Sequence, residues 1–143
     1  MTQQPINVLA QRLTMRCLDG SGTPRPIEVS FTYDPTDPYA VWITFHSVAG
    51  DVTWAVARSL VSRGMFEPTG EGDIQVWPSV DEDGHAVVMF EFCSPDGELV
   101  AHIDTEDVYA FITRTQAVVP FGAEAASFDV DAMISGLLSL DVE

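Results

Sequence analysis

The sequence predicts a single α+β domain that spans residues 1–143. Turn-forming residues recur at short intervals, and the segments between them alternate apolar and polar side chains. This alternation is typical of short strands with one buried face. Elsewhere the apolar spacing changes to three and four residues, which is typical of amphipathic helices. A chain of 143 residues suits one domain with its own core.

The first half of the chain predicts four strands in a hairpin or meander. The clearest is 26–33, in which Ile27, Val29 and Phe31 alternate with polar residues. The other predicted strands are 6–18, with Leu13, Met15 and Cys17 on one face, 40–46, and a strand containing Val52, Trp54 and Val56. Glycine and proline predict turns between these strands, at 19–22, 34–38 and 49–51.

A short helix is predicted after Val56, between two sets of strands. We expect Leu60 and Val61 to face the core, and Gly64 suits a left-handed C-terminal cap. Proline and glycine predict an exposed loop at 68–73. The second set of strands is predicted at 74–77, 86–92 and 98–103, with an acidic turn at 81–84 and a tight turn at 94–97.

Two helices are predicted to close the chain. Asp104 or Thr105 can cap the N-terminus of the first helix, and Asp129 can cap the second. The buried face of the first is predicted to consist of Val108, Phe111, Ile112 and Thr115. The apolar face of the second consists of Val130, Met133, Ile134, Leu137 and Leu138.

The charge of the chain restricts its partners. Its 22 acidic residues outnumber six basic ones, all arginine, which gives a formal net charge of −16 at pH 7. Binding to nucleic acid or to an acidic membrane surface depends on clustered Lys and Arg. The charge therefore argues against both kinds of partner. Because no apolar run reaches the roughly 20 residues of a membrane span, and no signal peptide is recognisable, we expect a cytoplasmic protein.

Side chains that carry catalysis or bind metals are scattered along the sequence. His46, His85 and His102 lack metal-ligand spacing, and Cys17 and Cys93 are expected to be buried, reduced thiols. No nucleophile motif is present. Three serines lie on a predicted helix surface or in a turn: Ser59, Ser62 and Ser94. We therefore predict no enzyme, no metal and no cofactor, although a hydrolytic or small-molecule-binding domain built on a pair of nearby carboxylates remains an alternative.

Five runs of sequence carry a family resemblance. They are YDPTDPYAV at 33–41, WAVARSLVSRG at 54–64, GEGDIQVWP at 70–78, SPDG at 94–97 and VVPFGAE at 118–124. In this order and spacing they resemble the SsgA-like proteins, which are sporulation-associated cell-division regulators of filamentous actinobacteria. The resemblance covers nearly the whole chain.

The resemblance implies a fold, a function and a set of partners. The implied fold has two antiparallel β-sheets packed across each other with helices, similar to the whirly nucleic-acid-binding domains, and the implied assembly is a homotrimer. The implied function is to mark division septum sites in the cytoplasm and to recruit FtsZ and promote its polymerisation. Other septum-site proteins of the family are implied as further partners, without direct membrane insertion. A single-stranded nucleic-acid-binding protein that uses a whirly-like sheet is the alternative.

Candidate contact residues follow from the expectation that an acidic chain meets the generally acidic FtsZ through apolar and hydrogen-bonding groups. They are Phe66, Val118, Val119 and Phe121, with Arg58 and Arg63 as secondary candidates. Both arginines are equally well explained as solubilising residues on a short helix. The apolar segment 117–123 contains Pro120 and Gly122. It either packs across the core between the closing helices or forms an exposed contact.

Overall fold

A computed structural model describes residues 8–18 and 23–125 of the chain. The predicted turn at 19–22 and the second closing helix, with its cap at Asp129, lie outside the described residues. The described elements are β1 (Leu9–Leu18), β2 (Pro24–Tyr33), β3 (Ala40–Phe45), β4 (Val52–Ala57), α1 (Arg58–Gly64), β5 (Thr69–Glu71), β6 (Ile74–Val80), β7 (Ala86–Ser94), β8 (Gly97–Asp104) and α2 (Thr105–Val118). Both predicted sets of strands, the short helix between them and the first closing helix are therefore confirmed.

The described strands form one antiparallel eight-stranded sheet instead of the two separate sheets that the resemblance implies. Its order is β4-β3-β2-β1-β8-β7-β6-β5. β1 pairs with β2 over its full length, but with β8 only from Arg16 to Leu18. This short ladder joins two four-stranded halves into one hydrogen-bonded sheet.

The core lies between the two halves of the curled sheet. Phe31 of β2 meets Phe90 of β7 edge to face, with 6.3 Å between ring centroids, and Phe45 of β3 meets Phe92 of β7 at 5.3 Å. Edge-to-face pairs are a favoured arrangement of aromatic rings. The halves therefore bury their inner faces against each other, although they belong to one sheet.

Helix α2 packs its predicted face into this core. The buried residues of α2 are Val108, Phe111, Ile112 and Thr115, as predicted, and the Phe111 ring lies 5.5 Å from that of Phe31. Asp104 is the N-cap residue, but its side chain makes no capping hydrogen bond. Desolvation raises the pKa of Asp107 in the first turn, and the charges of Asp104 and Glu106 add to that rise. In the described part of the chain, neither helix is long and apolar enough to cross a membrane.

Two local predictions around α1 are wrong. Gly64 is the last residue of α1 and does not adopt the left-handed conformation. The C-cap residue is Met65, whose backbone stays in the right-handed helical conformation. A Cβ on Gly64 would collide with the Val76 side chain, so glycine is needed there for close packing between α1 and β6. Residues 69–71 form β5, which pairs with β6 across a turn where Gly72 has a φ of 62°. Gly72 thus forms part of a hairpin turn where a loop was expected.

Candidate protein-interaction surface

Arg58 is fully buried and hydrogen-bonds the C-terminal end of α2. Its Nη1 donates to the carbonyl oxygens of Val119 at 2.6 Å and Thr115 at 3.3 Å, and lies 3.4 Å from Thr115 Oγ1. The last carbonyls of a helix lack partners within the helix and form its negative end. A buried cation from α1 therefore closes the end of α2.

Two aromatic rings enclose the Arg58 guanidinium. Its Cζ lies 5.0 Å from the centroid of Tyr33 and 4.3 Å from that of Phe121, which is cation–π geometry. The Tyr33 hydroxyl in turn donates to the carbonyl of Pro38 at 2.9 Å. The Arg58 Nε is buried and has no partner among the described residues. The guanidinium thus links β2, the end of α2 and the segment that follows α2.

Glu124 neutralises this buried arginine. Arg58 Nη2 donates to Glu124 Oε2 at 2.7 Å, while Glu124 Oε1 accepts from the backbone N–H of Gly122 at 2.8 Å. The hydrogen bond from Arg58 is the largest influence holding the pKa of Glu124 below its ordinary value, against the opposing effect of desolvation. Ala123 also donates its backbone N–H to Pro120. These contacts fix residues 119–124 in one conformation, with Phe121 over Arg58.

The structure separates the predicted contact residues into buried and exposed ones. Arg58 has no exposed surface and Val119 is 3% exposed, so neither offers a contact to another protein in this structure. The alternative view of Arg58 as a solubilising residue is also wrong. Val118 packs partly buried against the core, whereas Phe121 is 38% exposed. The segment 117–123 therefore combines both alternatives, with Val119 in the core and one face of Phe121 towards solvent.

Arg58 begins α1, whereas Arg63 lies in its last turn and Phe66 lies just beyond its C-terminal end. A helix of seven residues is about 10 Å long, so these two side chains form a group separate from Phe121. Phe66 is 73% exposed, the most exposed aromatic side chain among the described residues. Arg63 Nη2 lies 3.8 Å from Glu67 Oε2, and both side chains are largely exposed. The structure therefore offers an exposed aromatic ring three residues after a loosely paired arginine.

A serine–histidine–aspartate chain lies on the outer face of β2 and β3, and sequence reasoning missed it. Ser30 Oγ is 2.7 Å from His46 Nε2, and His46 Nδ1 is 3.3 Å from Asp51 Oδ2. The only feature that could have revealed this chain is the strand register. The β2–β3 pairing places Ser30 opposite Thr44, near the end of β3, and His46 follows shortly after. Ser30 is paired to strands on both sides, so its backbone N–H is committed to the sheet. Acyl-transfer sites need free donors of this kind for the oxyanion.

Two further groups of side chains have the spacing of metal ligands. Asp81, Asp83 and His85 share the acidic turn, and a second group consists of Glu91, Cys93 and Glu98; within each group the ligand atoms lie within 4.8 Å of one another. In the first group, the backbone N–H of His85 is the leading cause of a lowered pKa at Asp81. The first group is largely exposed, whereas Glu91 and Cys93 of the second group are partly buried and only Glu98 is exposed; exposed acidic side chains are common without a metal.

Both cysteines are free, but they are partly buried and not buried as predicted. Burial raises the pKa of the Cys17 thiol. Desolvation, followed by the charge of Glu91, raises the pKa of Cys93. Since the thiolate is the reactive form, these shifts make both thiols less reactive near neutral pH.

Known proteins resemble this chain over most of its length. A family model described as "Streptomyces sporulation and cell division protein, SsgA" matches residues 27–124. The sporulation-specific cell division protein SsgB of Streptomyces coelicolor is 39% identical over 128 residues, covering 89% of this chain and 93% of that protein. SsgB of Frankia casuarinae is 36% identical over 131 residues, covering 91% of each.

Solved structures of SsgB and of an SsgA-like protein are also similar to this chain. One, from work on SsgB mutations that correlate with longitudinal cell division during sporulation of Streptomyces coelicolor, has a TM-score of 0.82 at 35% identity and covers 88% of this chain and 100% of that one. The structure of an SsgA-like sporulation-specific cell division protein from Thermobifida fusca has a TM-score of 0.83 at 29% identity, covering 94% of this chain and 98% of the other.

Proposed function

This chain belongs to the SsgA family of sporulation and cell division proteins, and on that premise we propose that it is a non-enzymatic adaptor of cell division during sporulation. It marks future septum sites, recruits FtsZ to them and promotes FtsZ polymerisation. The names of its relatives support the role in sporulation-specific division. The net charge of −16 supports proteins as the partners, because it disfavours nucleic acid and acidic lipid.

The exposure of the Phe66 ring is the main observation that supports a contact with FtsZ. Exposed aromatic side chains that become buried in a complex are the usual centres of binding energy, and arginine is enriched beside them. Phe66 is 73% exposed, and Arg63 lies three residues before it, with one weak ion pair to Glu67. Phe121, with the partly buried Val118 nearby in sequence, is the second contact. Arg58 and Val119 act from inside by holding Phe121 in place.

Assembly and location follow the same proposal. The chain works as a homotrimer in the cytoplasm at the division septum, where it also meets other septum-site proteins of its family. The whirly-like arrangement of two crossed sheets belongs to this proposal, with the halves of the curled sheet as the counterparts of the two sheets. Light scattering after gel filtration tests the assembly, since a trimer has three times the mass of the chain.

Co-sedimentation with purified FtsZ and GTP tests the proposed function. We expect the full-length chain to pellet with FtsZ filaments and to increase the amount of pelleted FtsZ. Phe66→Ser and Phe121→Ser should each reduce both effects. Tyr109→Ser is the matched control, because Tyr109 is a 57% exposed aromatic residue on the solvent side of α2. A wild-type chain that neither pellets with filaments nor changes their amount would contradict the proposal.

One observation favours the nucleic-acid-binding alternative. Arg12 and Arg16 lie on the same face of β1, and Arg25 lies at the paired end of β2 on the other face; Arg12 Nε is 3.6 Å from Glu28 Oε1. Fluorescence polarisation with a labelled single-stranded oligonucleotide tests the nucleic-acid-binding alternative. Low salt is used because electrostatic attraction is strongest at low ionic strength. We expect no binding. Binding that Arg16→Ala and Arg25→Ala weaken would establish the alternative instead.

A further inference from the structure

The curled sheet is open between its two edge strands, β4 and β5. Among the described strands, β4 pairs only with β3. An edge strand presents a row of unpaired N–H and C=O groups, and natural proteins usually protect such edges with charged residues, prolines or bulges. β4 has the sequence VTWAVA, with no charge and no proline. Its edge is therefore suited to pairing with another extended segment.

A groove of about 290 Å³ runs along this edge of β4. Its floor is apolar, with the buried side chains of Val56, Leu60 and Ile74. The charged residues among its described lining are both acidic, Glu71 and Asp73, and both are exposed. The groove therefore combines backbone hydrogen-bonding groups, an apolar floor and a negative rim.

We propose that the β4 edge and this groove bind an extended segment of a partner protein in which apolar residues alternate with Lys or Arg. The segment adds a strand to β4 through main-chain hydrogen bonds, which is an established way for a sheet edge to bind a peptide. Its apolar side chains contact the groove floor. Its basic side chains pair with Glu71 and Asp73 at the rim.

Charge selects this partner over segments of the chain itself. Residues 126–143 of this chain contain Asp129, Asp131, Asp141 and Glu143 and no basic residue, so they do not complement an acidic rim. A second copy of the chain brings a net charge of −16 and no lysine. The proposed site is also independent of Phe66 and Phe121, so it stands whether or not FtsZ is bound through those rings.

A labelled peptide in which Val alternates with Arg and Thr is a direct probe, measured by fluorescence polarisation with the full-length chain. Replacing its arginines with glutamate should abolish binding. Two N-methylated versions test strand pairing, because methylating alternate amides blocks one edge of the peptide at a time. One version should lose binding and the other should keep it. Equal binding of both versions would overturn the proposal.

A pair of double variants separates local recognition from general attraction to an acidic protein. Glu71→Gln with Asp73→Asn, and Glu82→Gln with Glu106→Gln, remove the same charge from exposed sites. Two exposed ion pairs contribute little each, so the first double variant should weaken binding about fivefold. The second should leave it nearly unchanged. Equal losses in both variants, or a β4 edge that a second copy of the chain occupies so that the peptide does not bind, would refute the proposed groove.

Discussion

The Arg58 side chain is fully buried. Its guanidinium faces four hydrogen-bond acceptor atoms and lies against the faces of two aromatic rings. Removing one partner of a buried ion pair is strongly destabilising, because the other charge stays buried without a partner. We expect Arg58→Ala to lower the free energy of unfolding by about 3 kcal/mol, measured by urea denaturation. Arg63→Ala is the matched control from the same helix. Because Arg63 is exposed, it should change stability by less than about 0.5 kcal/mol; similar losses in both variants would contradict the role given to Arg58.

The burial of Arg58 could not be predicted from the sequence. Its hydrogen-bond partners lie 57, 61 and 66 residues away, so no local pattern marks them. Arginine is almost never fully buried unless it is paired, which made a surface position the reasonable expectation. The sequence does mark the apolar segment 117–123, which contains Val119 and Phe121, as unusual. Which of them faces solvent depends on the same long-range contacts.

Glu124 makes stability depend on pH in a defined direction. Its pKa in the folded chain is lowered from an ordinary value of 4.5. The stabilisation is therefore fully present above pH 4.5 and is lost as the pH falls through the folded pKa. We expect the difference in unfolding free energy between wild type and Glu124→Gln to be largest near neutral pH and to shrink in acid. Urea denaturation of both chains at several pH values measures it, and a difference that stays constant would contradict the assignment.

Ser30 provides a test of the non-enzymatic proposal. Its chain to His46 and Asp51 has catalytic-like distances, but its backbone N–H belongs to the sheet. We expect Ser30→Ala to leave any background hydrolysis of p-nitrophenyl acetate unchanged. A clear loss of hydrolysis in this variant, together with labelling of Ser30 by a fluorophosphonate, would show instead that the chain is a hydrolase.

The strands and helices were largely predictable because their signals are local. In β2, Val29, Phe31 and Tyr33 are buried, which the alternation of apolar and polar residues indicates directly. The join between β1 and β8 was not predictable, since three residue pairs decide whether the halves form one sheet or two. The β5–β6 hairpin was missed because β5 is only three residues long. Periodicity needs longer segments.

Gly64 tests how closely α1 approaches β6. A Cβ at this position would collide with Val76, whose side chain is fully buried. We expect Gly64→Ala to destabilise the chain by about 1–3 kcal/mol, although alanine is the better helix former. Thermal denaturation measures this, with Ser62→Ala on the same helix as the control. If Val76→Ala fails to relieve any of the loss in a double-mutant cycle, the proposed collision is not its cause.

Net charge shapes how the whole molecule meets its partners. With −16 charges and no lysine, the surface repels other acidic proteins over long range, and contacts must rest on short-range apolar burial. Phe66 and Phe121 supply such surface, and a chain with six arginines, no lysine and 22 acidic residues supplies little overall attraction to phosphate. The family and the charge thus support the proposal that the chain works by binding other proteins.

The affinity of the full-length chain for FtsZ as a function of salt tests this claim most directly. Screening weakens repulsion between like-charged surfaces and leaves apolar contacts nearly unchanged. We therefore expect the affinity to stay constant or rise when KCl is increased from about 50 to about 300 mM, over which the screening length falls. A steep fall in affinity with salt, or no measurable binding under any of these conditions, would contradict it.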